Sequence, residues 1–177
     1  MCDCLPRRSV VLDKLRSGRK ALSFKTNFSC ARATELAALA GFDCVWLCGE
    51  HVPMDNSEME KQILAAKAHN CDTIVRVPKG SYSDFIRPLE ADATGIMIPH
   101  LMSADEAREI VRKTRFHPLG RRPVDGGNAD GLFCRLPLRD YLRFMNENRM
   151  IVVQIEDPEP LAELEEICQV PGIDMIF

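Results

Sequence analysis

Polar residues stand at the ends of four apolar runs in a pattern that suits carbonyl chemistry. One run finishes Cys48-Gly49-Glu50-His51, another carries Arg76 near its end, a third finishes at His100, and a fourth carries Gln154 and Glu156. A glutamate offers a hard oxygen ligand to a divalent cation, an arginine counters a developing oxyanion, and a histidine moves a proton near neutral pH. Arg76, between Val75 and Val77, is the hardest to explain structurally, because a charge inside a buried strand needs a partner. Glu156-Asp157-Pro158 reads equally well as the cap of the next helix. Glu50 fits a supporting or interface role, and His100 and His117 fit hydrogen bonds to neighbouring backbone. The double arginine Arg121-Arg122 suits either its own loop's carboxylates or an acidic substrate.

The elements that must position these residues are short β-type runs alternating with helical segments, the pattern of a parallel α/β fold. The runs are Ala21 to Phe28, Cys44 to Cys48, Thr73 to Val77, Gly95 to Pro99 and Ile151 to Ile155, and Met175-Ile176-Phe177 starts another. Stretches such as Ile96-Met97-Ile98 and Ile151-Val152-Val153 are apolar on both faces, as expected of strands covered on both sides. Functional side chains gather at the carboxyl ends of such strands, so the polar residues above are expected on one face. Between the runs, Ser57-x-x-Glu60 and Ser103-x-x-Glu106 read as capping boxes. Helices are expected from Ala31 to Ala40, ending at Gly41; after Ser103, with Ala107, Ile110, Val111 and Thr114 inward and Glu109 paired with Lys113; from Leu138 to Asn148, with Tyr141, Leu142 and Met145 inward; and from Pro158 through Cys168. Leu119 to Leu136 lacks periodicity and reads as a long functional or disordered loop.

Composition narrows the classes. The chain has 177 residues, 46% hydrophobic and 28% charged, with formal net charge −3. That is a globular composition without the basic excess of a nucleic-acid binder. No apolar run approaches the ~20 residues of a membrane span, and the amino terminus lacks a signal-like apolar stretch, so a soluble cytoplasmic protein is expected. The eight cysteines form no Cys-x-x-Cys pair. They read as reduced thiols, Cys2, Cys4 and Cys134 among them, rather than a zinc site or a disulfide framework.

Gly41-Phe42-Asp43 through Gly49-Glu50-His51, Val75-Arg76-Val77-Pro78, Gly95-Ile96-Met97-Ile98-Pro99-His100, Ala107-Arg108-Glu109-Ile110-Val111 with Phe116-His117-Pro118-Leu119-Gly120-Arg121-Arg122, Val153-Gln154-Ile155-Glu156 and Val170-Pro171-Gly172-Ile173-Asp174 follow one another in order. These blocks resemble the HpcH/HpaI aldolase family, the class II pyruvate aldolases, from about residue 20 to the last residue. The resemblance implies a (β/α)8 TIM barrel of the phosphoenolpyruvate/pyruvate superfamily, a homo-oligomer (a hexamer in the family), and a divalent ion, Mg²⁺, Mn²⁺ or Co²⁺. It implies an aldehyde-lyase that cleaves a small-molecule 4-hydroxy-2-oxo acid to pyruvate and an aldehyde. By the same resemblance Glu156 is a metal ligand, Gln154 lies by metal and substrate, Arg76 binds the keto oxygen and stabilises the enolate, and His51 is the catalytic base. Cys48, Glu50 and His100 are candidates for supporting positions around them.

Two departures from the family pattern stand out. Cys48 takes the place of an aspartate that orients the histidine, and the Gly-Pro-x-Asp block that supplies the family's second metal ligand lies past the last residue of this sequence. A barrel of this type needs ~250 residues, so residues 1–19 read as an extension with a first helix and 20–177 as a C-terminally truncated barrel of about five strands and the start of a sixth. The alternative is a barrel homologue impaired in catalysis that binds an oxo acid or a partner protein. A citrate-lyase-like enzyme acting on a CoA thioester is a third reading, disfavoured by the Gly-Glu-His block.

Overall fold

The computed structural model describes residues 6–177, so the reading of Cys2 and Cys4 as free thiols falls outside the described residues. The elements are α1 (Val10–Arg16), β1 (Ser23–Thr26), α2 (Ala31–Leu39), β2 (Cys44–Cys48), α3 (Asn56–Ala68), β3 (Asp72–Arg76), α4 (Tyr82–Glu90), β4 (Gly95–Ile98), α5 (Ala104–Thr114), α6 (Leu138–Asn148), β5 (Met150–Val153), α7 (Leu164–Cys168) and β6 (Met175–Ile176). The six strands form one parallel sheet in sequence order, each hydrogen-bonded to the next. Neighbouring parallel strands joined through helices are the repeating unit of a (β/α) barrel wall. Here β1 and β6 are the two edges of an open arc.

Strand alternation divides the apolar residues between two cores. Val45, Leu47, Val75, Ile96, Ile98, Ile151 and Val153 point outward, into a core shared with Ile63 of α3, Leu89 of α4 and Ile110 of α5. Cys44, Ile74, Met97, Met150 and Val152 point inward and pack with Val11 and Leu12 of α1. Both faces of β3, β4 and β5 are thus covered, as the doubly apolar strands required, and each fully buried Ile, Val or Leu contributes about 1.5–3 kcal/mol. Helix α1 closes the amino-terminal end of the arc. Asp72, buried at the start of β3, fixes it there by accepting from Ser9 Oγ at 2.6 Å and the Val11 backbone N–H at 2.9 Å, with Arg7 Nη1 2.7 Å away.

Several local expectations need correction. Three strands are shorter than their apolar runs, the first spanning Ser23–Thr26, the fourth Gly95–Ile98 and the fifth Met150–Val153, and the third is shifted by one residue to Asp72–Arg76. Pairing, not hydrophobicity, sets their ends. Ser57 lies inside α3; the N-cap is Asp55, whose carboxylate accepts from the Glu58 N–H at 2.8 Å. Ser103 does cap α5, accepting from the Glu106 N–H at 3.1 Å, while the Glu106 carboxylate turns to the Met102 N–H and to Lys79. The reciprocal capping box belongs to Ser81 and Asp84 at α4. Glu109 pairs with Arg112 at 3.5 Å rather than with Lys113. The segment after Pro158 splits into a 3-10 turn (Glu159–Glu163) and α7, and Leu142 is only partly buried beside the inward Tyr141 and Met145. Gly41 holds φ +92° after α2, the left-handed stop its position required.

The aperiodic stretch before α6 carries a 3-10 turn at Ala129–Gly131 and is tied down from within. Arg122 Nη2 meets Asp130 Oδ2 at 2.8 Å, Tyr141 donates its hydroxyl to the same oxygen at 2.7 Å, and all three side chains are buried. The Arg122 guanidinium also lies 4.5 Å from the Phe116 ring centre. Arg122 therefore holds its own loop. No helix among the described residues is long and apolar enough to cross a membrane.

Candidate active site

Parallel register brings the polar residues together at one end of the arc. Cys48 is opposite Arg76 across β2 and β3, and Met97 beside Arg76 links through Val152 to the strand that ends before Gln154. Cys48, Arg76 and Gln154 keep the inward phase set by Trp46, Ile74 and Val152, two residues earlier on each strand. Glu50, His51, His100, Glu156 and Asp157 sit in the loops just past these strand ends.

Arg76 is the centre of the cluster. Its side chain is 5% exposed, its Nε lies 3.0 Å from Glu50 Oε2, and its Nη2 donates to Cys48 Sγ at 3.1 Å. The Nε contact is an ion pair without hydrogen-bond angles. Neither contact uses Nη1. The guanidinium also stacks 5.1 Å from the Trp46 ring centre. A buried guanidinium held by a carboxylate, a sulfur and an aromatic ring is fixed in place while keeping donors free for a ligand.

His51 stands differently from its neighbours. Its side chain is 66% exposed, and its Nε2 lies 3.4 Å from the same Glu50 Oε2 that faces Arg76. Cys48 Sγ accepts from the His51 backbone N–H at 3.4 Å. The sulfur thus meets both the turn and the arginine, and the exposed imidazole lies near Glu50 Oε2 without a hydrogen bond to it. Burial pushes the Cys48 thiol up, but the Arg76 hydrogen bond, the His51 and Glu50 backbone N–H groups and the Arg76 charge outweigh it, leaving the pKa below the ordinary thiol value. Burial instead raises Cys71 to about 11 and Cys44 further still.

On the other side, Gln154 Nε2 donates to Glu156 Oε1 at 2.6 Å. His100 Nε2 is 3.7 Å from Glu156 Oε2 and 3.9 Å from Glu50 Oε1, and its Nδ1 is 2.9 Å from Asp157 Oδ2. The Asp157 hydrogen bond raises the His100 pKa, against slight desolvation, and the charges of Glu156, Asp157 and Glu50 add to it. His100 holds φ +51°, a conformation costing a non-glycine residue about 1–2 kcal/mol, and Lys79 Nζ hydrogen-bonds its carbonyl.

Among the described residues no three His, Cys, Asp or Glu side chains converge at metal-ligand spacing. The oxygen donors there that suit a hard cation are the Glu156 carboxylate, which Gln154 meets through its amide nitrogen, and Gln154 Oε1, which is buried without a hydrogen-bond partner. An orphaned amide oxygen two residues before a carboxylate fits one side of a divalent cation's shell. Sequence reasoning placed His51, Arg76, His100, Gln154, Glu156, Cys48 and Glu50 on this face, and the geometry gathers all seven there. It missed Asp157, read as a helix cap, and Lys79, which follows Pro78 in the loop after β3. The adjacency of Asp157 to Glu156 was the available signal for the first; nothing local marks the second.

Residues 26–177 match the family model of HpcH/HpaI aldolase/citrate lyase. The chain is 33% identical over 164 residues to the hydroxypyruvate/pyruvate aldolase of Roseovarius nubinhibens, covering 92% of this chain and 63% of that protein. It is 35% identical to the 4-hydroxy-2-oxovalerate aldolase of Rhodococcus jostii, covering 92% of this chain and 62% of the relative. The crystal structure of an HpcH/HpaI aldolase from Desulfitobacterium hafniense superposes with a TM-score of 0.87 at 27% identity, over 94% of this chain and 64% of that one. The chain thus spans under two thirds of the length of these relatives, and its open six-stranded arc corresponds to that part of a TIM-barrel-like fold. On its sequence and its fold alike, the chain belongs to the HpcH/HpaI aldolase/citrate lyase family.

Proposed function

We propose that this chain carries the site of a class II aldehyde-lyase that cleaves a 4-hydroxy-2-oxo acid into pyruvate and an aldehyde. The observation that supports the reading most is Arg76: a buried guanidinium at a strand end, held on Nε and Nη2 by Glu50 and Cys48, with Nη1 left for a ligand. Such a donor beside a ketone oxygen stabilises the enolate that forms as a carbon–carbon bond breaks.

In the proposed reaction Arg76 donates to the 2-oxo oxygen. His51, exposed at the mouth beside Glu50, removes the 4-hydroxyl proton through a water. The O–H electron pair becomes the C4 carbonyl, the C3–C4 bond breaks, and its electrons move into an enolate whose oxygen Arg76 holds. Protonation at C3 then gives pyruvate. Glu156 and Gln154 would hold the divalent ion, Mg²⁺, Mn²⁺ or Co²⁺. When bound, that ion supplies Lewis acidity toward the 2-oxo acid. Cys48, Glu50 and His100 position these groups.

The same reading takes residues 20–177 as part of one barrel domain after an extension at 1–19, working in the cytoplasm as a homo-oligomer, a hexamer as in the family. A second reading, an oxo-acid-binding homologue without turnover, draws on Cys48, whose sulfur faces Arg76 and the His51 backbone and leaves the imidazole ring without that contact. Release of pyruvate from a series of 4-hydroxy-2-oxo acids by the full-length protein, with each of the three ions supplied, separates the two. Metal-dependent pyruvate release supports the lyase; saturable binding of the oxo acid with no pyruvate supports the second reading.

A further inference from the structure

Two consecutive backbone N–H groups past the end of β4 face the segment that carries Gln154 and Glu156. The Leu101 N–H donates to the Gln154 carbonyl at 3.0 Å, and the His100 N–H donates to Glu156 Oε2 at 3.3 Å. Just before them, Ile98 O accepts the Gln154 N–H at 2.9 Å. In an extended strand successive N–H groups point to opposite sides, so one neighbouring segment does not take both. His100 permits it by leaving the strand at φ +51°, a left-handed conformation that turns adjacent N–H groups toward one acceptor region. A histidine rarely adopts that conformation unaided, and two side chains hold it there. Asp157 Oδ2 accepts from His100 Nδ1 at 2.9 Å, on the ring side. Lys79 Nζ donates to the His100 carbonyl and pairs with Glu106 at 3.0 Å, on the backbone side. Glu106 is itself fixed at the start of α5, where it accepts from the Met102 N–H at 2.8 Å.

We infer that Lys79 and Asp157 are positioning residues for the divalent ion: by holding the left-handed turn at His100, they keep its N–H on Glu156 and so keep that carboxylate beside Gln154 Oε1. The inference rests on the part of the proposed function that puts the ion on Glu156 and Gln154. Removing an outer partner that orients a ligating group typically costs about 10- to 100-fold in metal affinity. The sign of the effect separates positioning from charge. Lys79 repels a cation bound nearby, so charge alone makes Lys79→Met bind the ion more tightly, whereas loss of the turn makes it bind more weakly. For Asp157, charge alone makes Asp157→Asn and Asp157→Ala equally weak. Positioning sets them apart, because an asparagine carbonyl still accepts from His100 Nδ1 and an alanine does not.

Mn²⁺ alone is titrated into the metal-free full-length protein, as wild type, Lys79→Met, Lys79→Arg, Asp157→Ala and Asp157→Asn, and free Mn²⁺ is read by electron paramagnetic resonance. Both side chains reach solvent, so these substitutions open no cavity in the core. The Mn²⁺ Kd is expected to rise about tenfold or more in Lys79→Met and Asp157→Ala, and to stay within about threefold of wild type in Lys79→Arg and Asp157→Asn. Unchanged or tighter binding in Lys79→Met overturns the role of Lys79, and Asp157→Asn as weak as Asp157→Ala overturns that of Asp157. A wild type that takes up no Mn²⁺ overturns the metal assignment and the inference with it. The expected pattern of Mn²⁺ affinities without any pyruvate release upholds the inference and overturns the lyase reading instead.

Discussion

Cys48 Sγ and Arg76 Nη2 are 3.1 Å apart, across paired strands at the carboxyl end of the sheet. The sulfur stands where the family places an aspartate, and it serves the arginine and the turn to His51 rather than the imidazole. This contact explains how a chain with a thiol at that position still presents a fixed guanidinium. A hydrogen bond to a charged group is worth about 1.5–3 kcal/mol. Cys48→Ala is therefore expected to lower kcat/KM for the oxo acid by roughly 10- to 100-fold on the scale of one decade per 1.4 kcal/mol, and Cys48→Asp, which restores an acceptor, to retain or raise it. Steady-state pyruvate release checks both, and an alanine variant with wild-type kinetics would show that the sulfur does not position Arg76.

The same contact has a consequence for stability against pH. The Cys48 pKa is lower in the folded chain than in the unfolded one. The unfolded state therefore binds more protons between the two values, and stability from this group grows as pH rises through that interval. It is fully present above the ordinary thiol pKa and is lost as pH falls through the folded value. The difference in urea midpoint between wild type and Cys48→Ser should widen from pH 7 toward pH 9.5; a constant difference would mean that folding does not shift the thiol, and a shrinking one that folding raises its pKa.

Glu50 Oε2 faces both Arg76 Nε, at 3.0 Å, and His51 Nε2, at 3.4 Å. In the proposed reaction one carboxylate thus stands between the group assigned to the enolate and the group assigned as base. Glu50→Gln keeps the shape and removes the charge, and is expected to reduce kcat by at least tenfold, in the range seen for single catalytic electrostatic contacts. Stopped assays under saturating substrate measure this directly, and an unchanged kcat would remove Glu50 from the account.

Arg122, Asp130 and Tyr141 form a buried unit far from this chemistry in role. Removing one partner of a buried ion pair costs about 3–5 kcal/mol, because the other charge stays buried alone. Arg122→Ala should destabilise the chain by about that much, and Tyr141→Phe, which loses one hydrogen bond to a charged group, by about 1.5–3 kcal/mol. Chemical denaturation provides both values. A near-neutral Arg122→Ala would mean that the loop is held by something else.

What the sequence discloses and what it hides divide along the range of the interactions. Strand-end residues are legible because periodicity sets the phase of each strand, and parallel order then puts all the carboxyl ends on one side; Arg76 was conspicuous because nothing else explains a charge between two valines. Contacts across long separations left no local mark. Asp72 meets Ser9 over 63 residues, and Lys25 shares the Trp46 ring with Arg76 only because β1 pairs with β2 in one register. Short-range competition misled as well. Ser57 carries the spacing of a capping box, but Asp55 starts the helix two residues earlier and its charged oxygen takes the N–H that the serine would not reach. Glu156-Asp157 gave two readings, cap or ligand; the closeness of Gln154 and His100 to them left no mark in the local sequence.

The central claim is that Arg76 holds the oxygen of a developing pyruvate enolate. Its most direct test is pyruvate release from a 4-hydroxy-2-oxo acid by the full-length metal-loaded protein and by Arg76→Lys, with the rate of C3 proton exchange in pyruvate followed by NMR in deuterated water. The account expects wild type to catalyse both. It expects Arg76→Lys to lose both by 100-fold or more, because a lysine cannot keep two fixed contacts and still offer an N–H to the oxo group. Exchange and cleavage that persist in Arg76→Lys, or a wild type that exchanges no C3 proton, would contradict it.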